Sequence, residues 1–102
     1  MSIQQLTADQ FEAEVLQSDV PVFVDFYADW CGPCKMMMPT LTELAEEKAD
    51  AKFFKVNIDD NRELARKYRV MSIPTFIVFK NGEPYNRASA MKSKDELLSM
   101  FD

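Results

Sequence analysis

Cys31 and Cys34 are the only thiols in the chain, and Gly32 and Pro33 separate them. At the start of a helix this spacing puts both sulfurs on one side, close enough to bridge. A bridge there closes only a tiny loop and removes little unfolded-state entropy, so it does little for stability. Reversible thiol–disulfide exchange explains the pair better. With Cys31 at the N-cap or in the first turn, free N–H groups and the positive end of the helix point at its sulfur. That favours the thiolate and lowers its pKa. Gly32 has no Cβ to crowd an approaching disulfide, and Pro33 is at home in a first helical turn. Trp30, the single tryptophan, is expected to form a flat apolar wall beside the sulfur.

Other uses of two cysteines fit less well. A structural zinc site takes four ligands, and the chain has no further cysteine and no histidine. A cysteine hydrolase wants a histidine base. An inert pair of small buried residues is the bland alternative, and the motif's context favours redox chemistry over it. No metal site is expected.

Asp25 is the second candidate, because it interrupts the apolar run Val22-Phe23-Val24-Asp25-Phe26-Tyr27. One reading is an acid at a strand end that reaches solvent. The other is a buried acid with a raised pKa, a proton acceptor near neutral pH behind the dithiol. Lys55 shares its surroundings if the two strands are neighbours.

These residues need elements to hold them. Ile3 to Leu6 suits a short first strand, and Thr7 with Gln10 has the form of a capping box for a helix to about Gln17. Val22 to Tyr27 is apolar on both parities, as in a central strand covered on both faces. From Cys34 towards Ala49, Met37, Leu41, Leu44 and Ala45 share a helical face, with a kink expected at Pro39. Met36 to Met38 read as core and surface filler rather than a metal site. Lys52 to Ile58 alternates as a strand, with Phe54, Val56 and Ile58 on one face. Asp59-Asp60-Asn61 is a turn and helix start, and Leu64, Ala65 and Tyr68 mark a short helix ending near Arg69. Thr75 to Lys80 reads as a buried strand, Asn81-Gly82 as a tight turn, and Pro84 to Ser89 as the returning arm, with Pro84 suited to an edge. Ser93 and Glu96 cap a last helix packed by Leu97, Leu98 and Phe101. The order β-α-β-α-β-α-β-β-α implies parallel pairing plus an antiparallel hairpin.

The run Asp25-Phe26-Tyr27-Ala28-Asp29-Trp30-Cys31-Gly32-Pro33-Cys34-Lys35 resembles the active-site signature of the thioredoxin family. Ile73-Pro74-Thr75 resembles its cis-proline loop, and Phe79-Lys80-Asn81-Gly82 its hairpin. The resemblance covers essentially the whole chain. It implies an α/β thioredoxin fold, a central mixed five-stranded sheet flanked by four helices. It also implies a reductase in which Cys31 attacks a protein disulfide and the more buried Cys34 resolves the mixed disulfide. Asp25, helped by water and Lys55, would relay the proton to Cys34. The peptide before Pro74 would be cis, bringing the Ile73 backbone beside Cys31. Trp30, Gly32, Pro33, Ile58, Ile73, Pro74 and the loop at Ala90 would form the docking surface. No cofactor would be bound; a thioredoxin reductase would return the electrons, using NADPH through its FAD. Gly-Pro between the cysteines, without histidine, points to a reductant rather than an oxidant or isomerase.

Three positions depart from the family pattern. Ala90 stands where glycine is usual, so a Cβ there would narrow the groove or, at positive φ, strain the loop. That bears on substrate range and suggests a donor dedicated to one enzyme as an alternative to a general reductase. Tyr27 replaces a common second tryptophan, and the last helix stops early, at Asp102.

The 102 residues, 47% of them apolar, suit a single domain over 1–102 with a core of its own. A formal charge of −5 argues against a general nucleic-acid binder. No signal peptide and no run of membrane-span length is visible. The expectation is a monomer in the reducing cytoplasm, where a Cys-x-x-Cys pair is catalytic or metal-binding more often than structural.

Overall fold

A computed structural model describes residues 3–102. Five strands form one sheet: β1 (Gln4–Gln5), β2 (Val22–Tyr27), β3 (Lys52–Asn57), β4 (Thr75–Lys80) and β5 (Glu83–Ser89), in the order β1-β3-β2-β4-β5. β1 and β2 run parallel to β3, and β4 is antiparallel to both β2 and β5. The mixed sheet matches the architecture expected from the resemblance.

Around it lie α1 (Ala8–Phe11), α2 (Gly32–Met36), α3 (Met38–Glu47), α4 (Arg62–Lys67) and α5 (Lys94–Ser99). These are five helical segments among the described residues, where four helices were expected. The extra one comes from Pro39. Without an N–H it cannot bond the Lys35 carbonyl, and the helix divides at Met37. The Met37 N–H bonds back to the Pro33 carbonyl (3.1 Å), and its own carbonyl starts α3 by accepting from Leu41 (2.9 Å). The first helix also departs from plain α geometry. Beyond Phe11 it widens into a π turn over Glu12–Leu16, closed by the Gln17 N–H on the Glu12 carbonyl at 2.9 Å. The wider turn keeps Phe11 and Val15 both buried.

β2 is central and has no solvent face, which explains why it is apolar on both parities apart from Asp25. Val22, Val24 and Phe26 join Phe11 and Val15 from the first helix and Leu64 from α4 in one core layer. Phe23, with Phe76 and Val78 of β4, meets Leu41 and Leu44 of α3 and Leu97 of α5 in the other. Phe23, Phe26, Phe76 and Phe79 are all fully buried, each contributing about 1.5–3 kcal/mol of apolar burial. Such a sheet is rigid enough to hold a reactive pair at the end of β2.

The hairpin turn between β4 and β5 has Asn81 and Gly82 both at positive φ (55° and 79°). A Cβ on Gly82 would lie 2.6 Å from the Leu16 carbonyl oxygen, so the turn also needs glycine for close approach. β5 is an edge strand, which accommodates Pro84. The capping signals take their expected forms. The Thr7 N–H donates to Gln10 Oε1 (3.0 Å), and Ser93 and Glu96 exchange both bonds of a capping box.

Candidate active site

The end of β2 delivers Tyr27 and Ala28 to a tight turn, and Cys31 follows as the N-cap of α2. The two cysteines form a disulfide with a Cα–Cα distance of 5.3 Å. The Cys34 N–H donates to Cys31 Sγ at 3.2 Å. The first sulfur therefore receives a free amide at the start of the helix, as the spacing predicts. The two residues are nearly equally covered, 4% exposed for Cys31 and 3% for Cys34. Cys34 is the more buried, as expected, but only by that small margin. Cys34 also borders a cavity of about 310 Å³, shared with Tyr27 and Lys55.

Gly32 and Pro33 fill the first turn, and both are exposed. A Cβ on Gly32 would meet nothing within 4 Å beyond its chain neighbours and its own helix, so the position faces open space. Trp30 is 69% exposed, and its indole N–H donates to Asp59 Oδ2 at 2.9 Å. The ring is thus tethered at one edge and presents its remaining surface outward.

Asp25 takes the buried alternative. It is 1% exposed, and Oδ1 has no hydrogen-bond partner among the described residues. Burial lifts its pKa from 3.8 to about 7, while the Lys55 ammonium pulls in the opposite direction. The β2–β3 register sets Asp25 opposite Lys55, so both side chains leave the same face of the sheet. Lys55 Nζ also lies over the Tyr27 ring, 5.5 Å from its centre. The Tyr27 phenol is itself raised, chiefly by burial and then by Asp29.

The loop before β4 closes the site from the other side. The Ile73–Pro74 peptide is cis. Ile73 and Ile58, both half-buried, pack against the cluster of Ala28, Cys31 and Cys34. Thr75 Oγ1 donates to the Ser72 carbonyl at 2.6 Å, which holds the loop's shape. Ala90 adopts φ +72°, the left-handed conformation that its departure from glycine puts under strain. Its N–H donates to the Pro74 carbonyl at 2.9 Å, so the Ala90 loop is joined to the cis-proline loop.

Some residues of this neighbourhood escape a reading of the sequence. Asp59 appears there only as a turn former, yet it anchors Trp30. Asn57 and Asn61 are buried. The Asn57 side chain accepts from the Asp59 N–H (2.9 Å), and the Asn61 amide donates to the Asn57 carbonyl (2.9 Å) while capping the Ala8 N–H (2.8 Å). The Asn-x-Asp-x-Asn spacing was the available signal, but turn residues carry no periodicity to say where their side chains go.

No group of three or more potential ligands is arranged to hold a metal ion among the described residues. The arrangement can form and break one disulfide, and the strand that leads into it carries a buried acid whose pKa is raised to about 7. The family model described as Thioredoxin matches residues 2–102. Among curated relatives, a thioredoxin of Rickettsia prowazekii is 44% identical over 98% of this chain and 96% of its own length. One of Rickettsia felis is 46% identical over 95% of this chain and 93% of its own. One of Mycobacterium tuberculosis is 48% identical over 92% of this chain and 82% of its own.

Proposed function

From the chain's membership of the thioredoxin family, as a thiol–disulfide oxidoreductase that reduces protein disulfides, we propose how the site's residues divide the work. The starting form is the dithiol. The Cys31 thiolate attacks one sulfur of a substrate disulfide; the other substrate sulfur leaves as a thiolate, and Cys31 is left in a mixed disulfide. Cys34 then attacks the Cys31 sulfur. The second substrate thiolate departs, and Cys31–Cys34 closes. Two electrons have moved from the protein to the substrate.

The observation that carries this assignment is the Cys34 N–H on Cys31 Sγ. A donor at that sulfur stabilises negative charge on Cys31, the nucleophile of the first attack. Cys34 needs a base, because a neutral thiol is a poor attacker. Asp25, with a pKa near 7, is suited to accept its proton at neutral pH, through water and with Lys55 tuning the acid. Trp30, Gly32, Pro33, Ile58, Ile73, Pro74 and Ala90 form the surface on which the substrate strand lies, hydrogen-bonding to backbone at Ile73.

The chain works as one domain over residues 1–102, as a monomer and without a bound cofactor. A flavin-containing thioredoxin reductase drawing on NADPH restores the dithiol. No helix among the described residues is long and apolar enough to cross a membrane, and the reducing cytoplasm is the compartment in which the dithiol is useful.

The test is trapping. Cys34→Ser protein is expected to hold substrates as mixed disulfides on Cys31, released by reductant, while Cys31→Ser traps none. Trapping by the Cys31→Ser protein instead would reverse the roles. Biological activity retained in full by both variants would show a binding subunit, not a reductase.

A further inference from the structure

Beside the site, α4 and the turn that follows it carry Arg62, Arg66 and Arg69, separated by four and three positions. They line a groove of about 480 Å³ whose apolar wall is Ile58, Val70 and Met71. None of the three guanidinium groups has a side-chain or carbonyl partner among the described residues. Arg87, by contrast, is committed: it donates to the Tyr68 and Arg69 carbonyls (2.8 and 3.1 Å) and steadies the end of α4.

The charge here opposes that of the whole chain, which is −5. The acids of the stretch are Asp59, Asp60 and Glu63, and of these only Asp59 lines the groove. Asp59 is engaged by the Trp30 indole. Arginine is a weakly hydrated planar donor matched to carboxylates, and three of them in one groove make a local anion-attracting field.

The groove is continuous with the docking rim in two ways. Ile58 packs on the cysteine cluster and also lines the groove. Asp59 lines the groove and tethers Trp30 of the rim. A polypeptide that offers its disulfide to Cys31 has the groove next along its path. Met71, 91% exposed, gives the wall a flexible thioether that adapts to different apolar side chains.

We infer that this groove receives a segment of the partner protein that carries carboxylates beside its disulfide, so that acid-flanked disulfides are the preferred substrates. The inference rests on the reductase reading above and adds a selectivity to it. The arginines act on encounter and orientation, not on the exchange itself.

Two disulfide-bridged peptides test it, identical around the bridge, one flanked by glutamates and the other by glutamines. At low salt the reduced protein is expected to reduce the glutamate peptide about tenfold faster, with the advantage fading as salt screens the charges. In the triple variant Arg62→Gln, Arg66→Gln, Arg69→Asn the preference disappears while the rate on the glutamine peptide stays at the wild-type value, which also reports correct folding. Asparagine at position 69 suits the left-handed end of α4. Lysine at all three positions keeps most of the preference. Equal rates in the wild type, or a preference that survives the triple variant, overturn this inference and leave the reductase reading intact. Failure to reduce even the glutamine peptide overturns both. A groove covered by a second copy of the chain would show instead as a concentration-dependent mass lost in the triple variant, and that too overturns the inference.

Discussion

Replacing Asp25 with asparagine removes the one buried ionisable group in the centre of the sheet. The displacement of its pKa from 3.8 to about 7 means that the fold disfavours the ionised form by about 4 kcal/mol. The sign follows from proton binding. Below pH 4 the acid is protonated folded and unfolded, and nothing is lost. Between pH 4 and 7 the unfolded chain releases this proton while the folded chain keeps it, so stability falls as pH rises. Above pH 7 both forms are ionised, and the full penalty stands. The asparagine amide brings an offset of about 1–3 kcal/mol for unpaired buried donors, and that offset does not vary with pH.

The assay is urea unfolding of the oxidised wild type and of oxidised Asp25→Asn across pH 4 to 8.5. With no histidine in the chain and the thiols held in the disulfide, few other groups titrate in the upper part of that range. Those that do are common to both proteins and cancel in the difference. Relative to wild type, Asp25→Asn is expected to gain about 4 kcal/mol from the acid to the alkaline end, with the gain levelling off near pH 7. A difference that stays flat to within about 1 kcal/mol would refute the claim that burial dominates this site. The same variant is expected to slow resolution of the mixed disulfide at neutral pH more than the first attack, read by single-turnover kinetics.

Four further outcomes follow from the same geometry. Lys55→Met removes the charge that holds Asp25 down, so the alkaline break in the stability profile moves above its wild-type position; a downward move would exclude Lys55 from the acid's surroundings. Ala90→Gly relieves a Cβ at φ +72° and should raise stability by about 0.5–1 kcal/mol after glycine's extra unfolded-state entropy, measured by urea midpoint. Gly82→Ala adds a Cβ 2.6 Å from a backbone oxygen at φ +79° and should cost at least about 2 kcal/mol; a neutral result would mean the Leu16 carbonyl can move aside freely. Asp59→Ala frees the exposed indole, so Trp30 fluorescence anisotropy should fall while stability changes by less than about 0.5 kcal/mol.

The elements were legible wherever one rule governed them. Val22 to Tyr27 and Thr75 to Lys80 are buried on both faces, so apolarity on both parities marked their ends closely. Ser93 and Glu96 announced α5 because capping is local chemistry. Boundaries blurred where neighbours decide. The first strand shrank to two paired residues, and Pro39's kink became a full division at Met37. The π turn has no sequence mark, since one extra residue in a helical turn leaves the apolar spacing almost unchanged. At the site, Cys31 and Cys34 were legible as a pair because three positions on a helix start are a short-range relation.

What the chain's order of residues determined by itself is therefore local: a dithiol at a strand-to-helix junction, an acid out of place in an apolar strand, turns at glycine and asparagine, and a family signature. The tertiary structure decided what each of these meets. It put Lys55 opposite Asp25 by strand register and buried the acid on that face. It bonded Ala90 to Pro74, tied Trp30 to Asp59, and gathered three arginines beside Ile58. The reason is physical. Backbone propensity and capping act over a few residues, whereas desolvation and charge depend on which distant segments share a volume, and only the folded chain sets that.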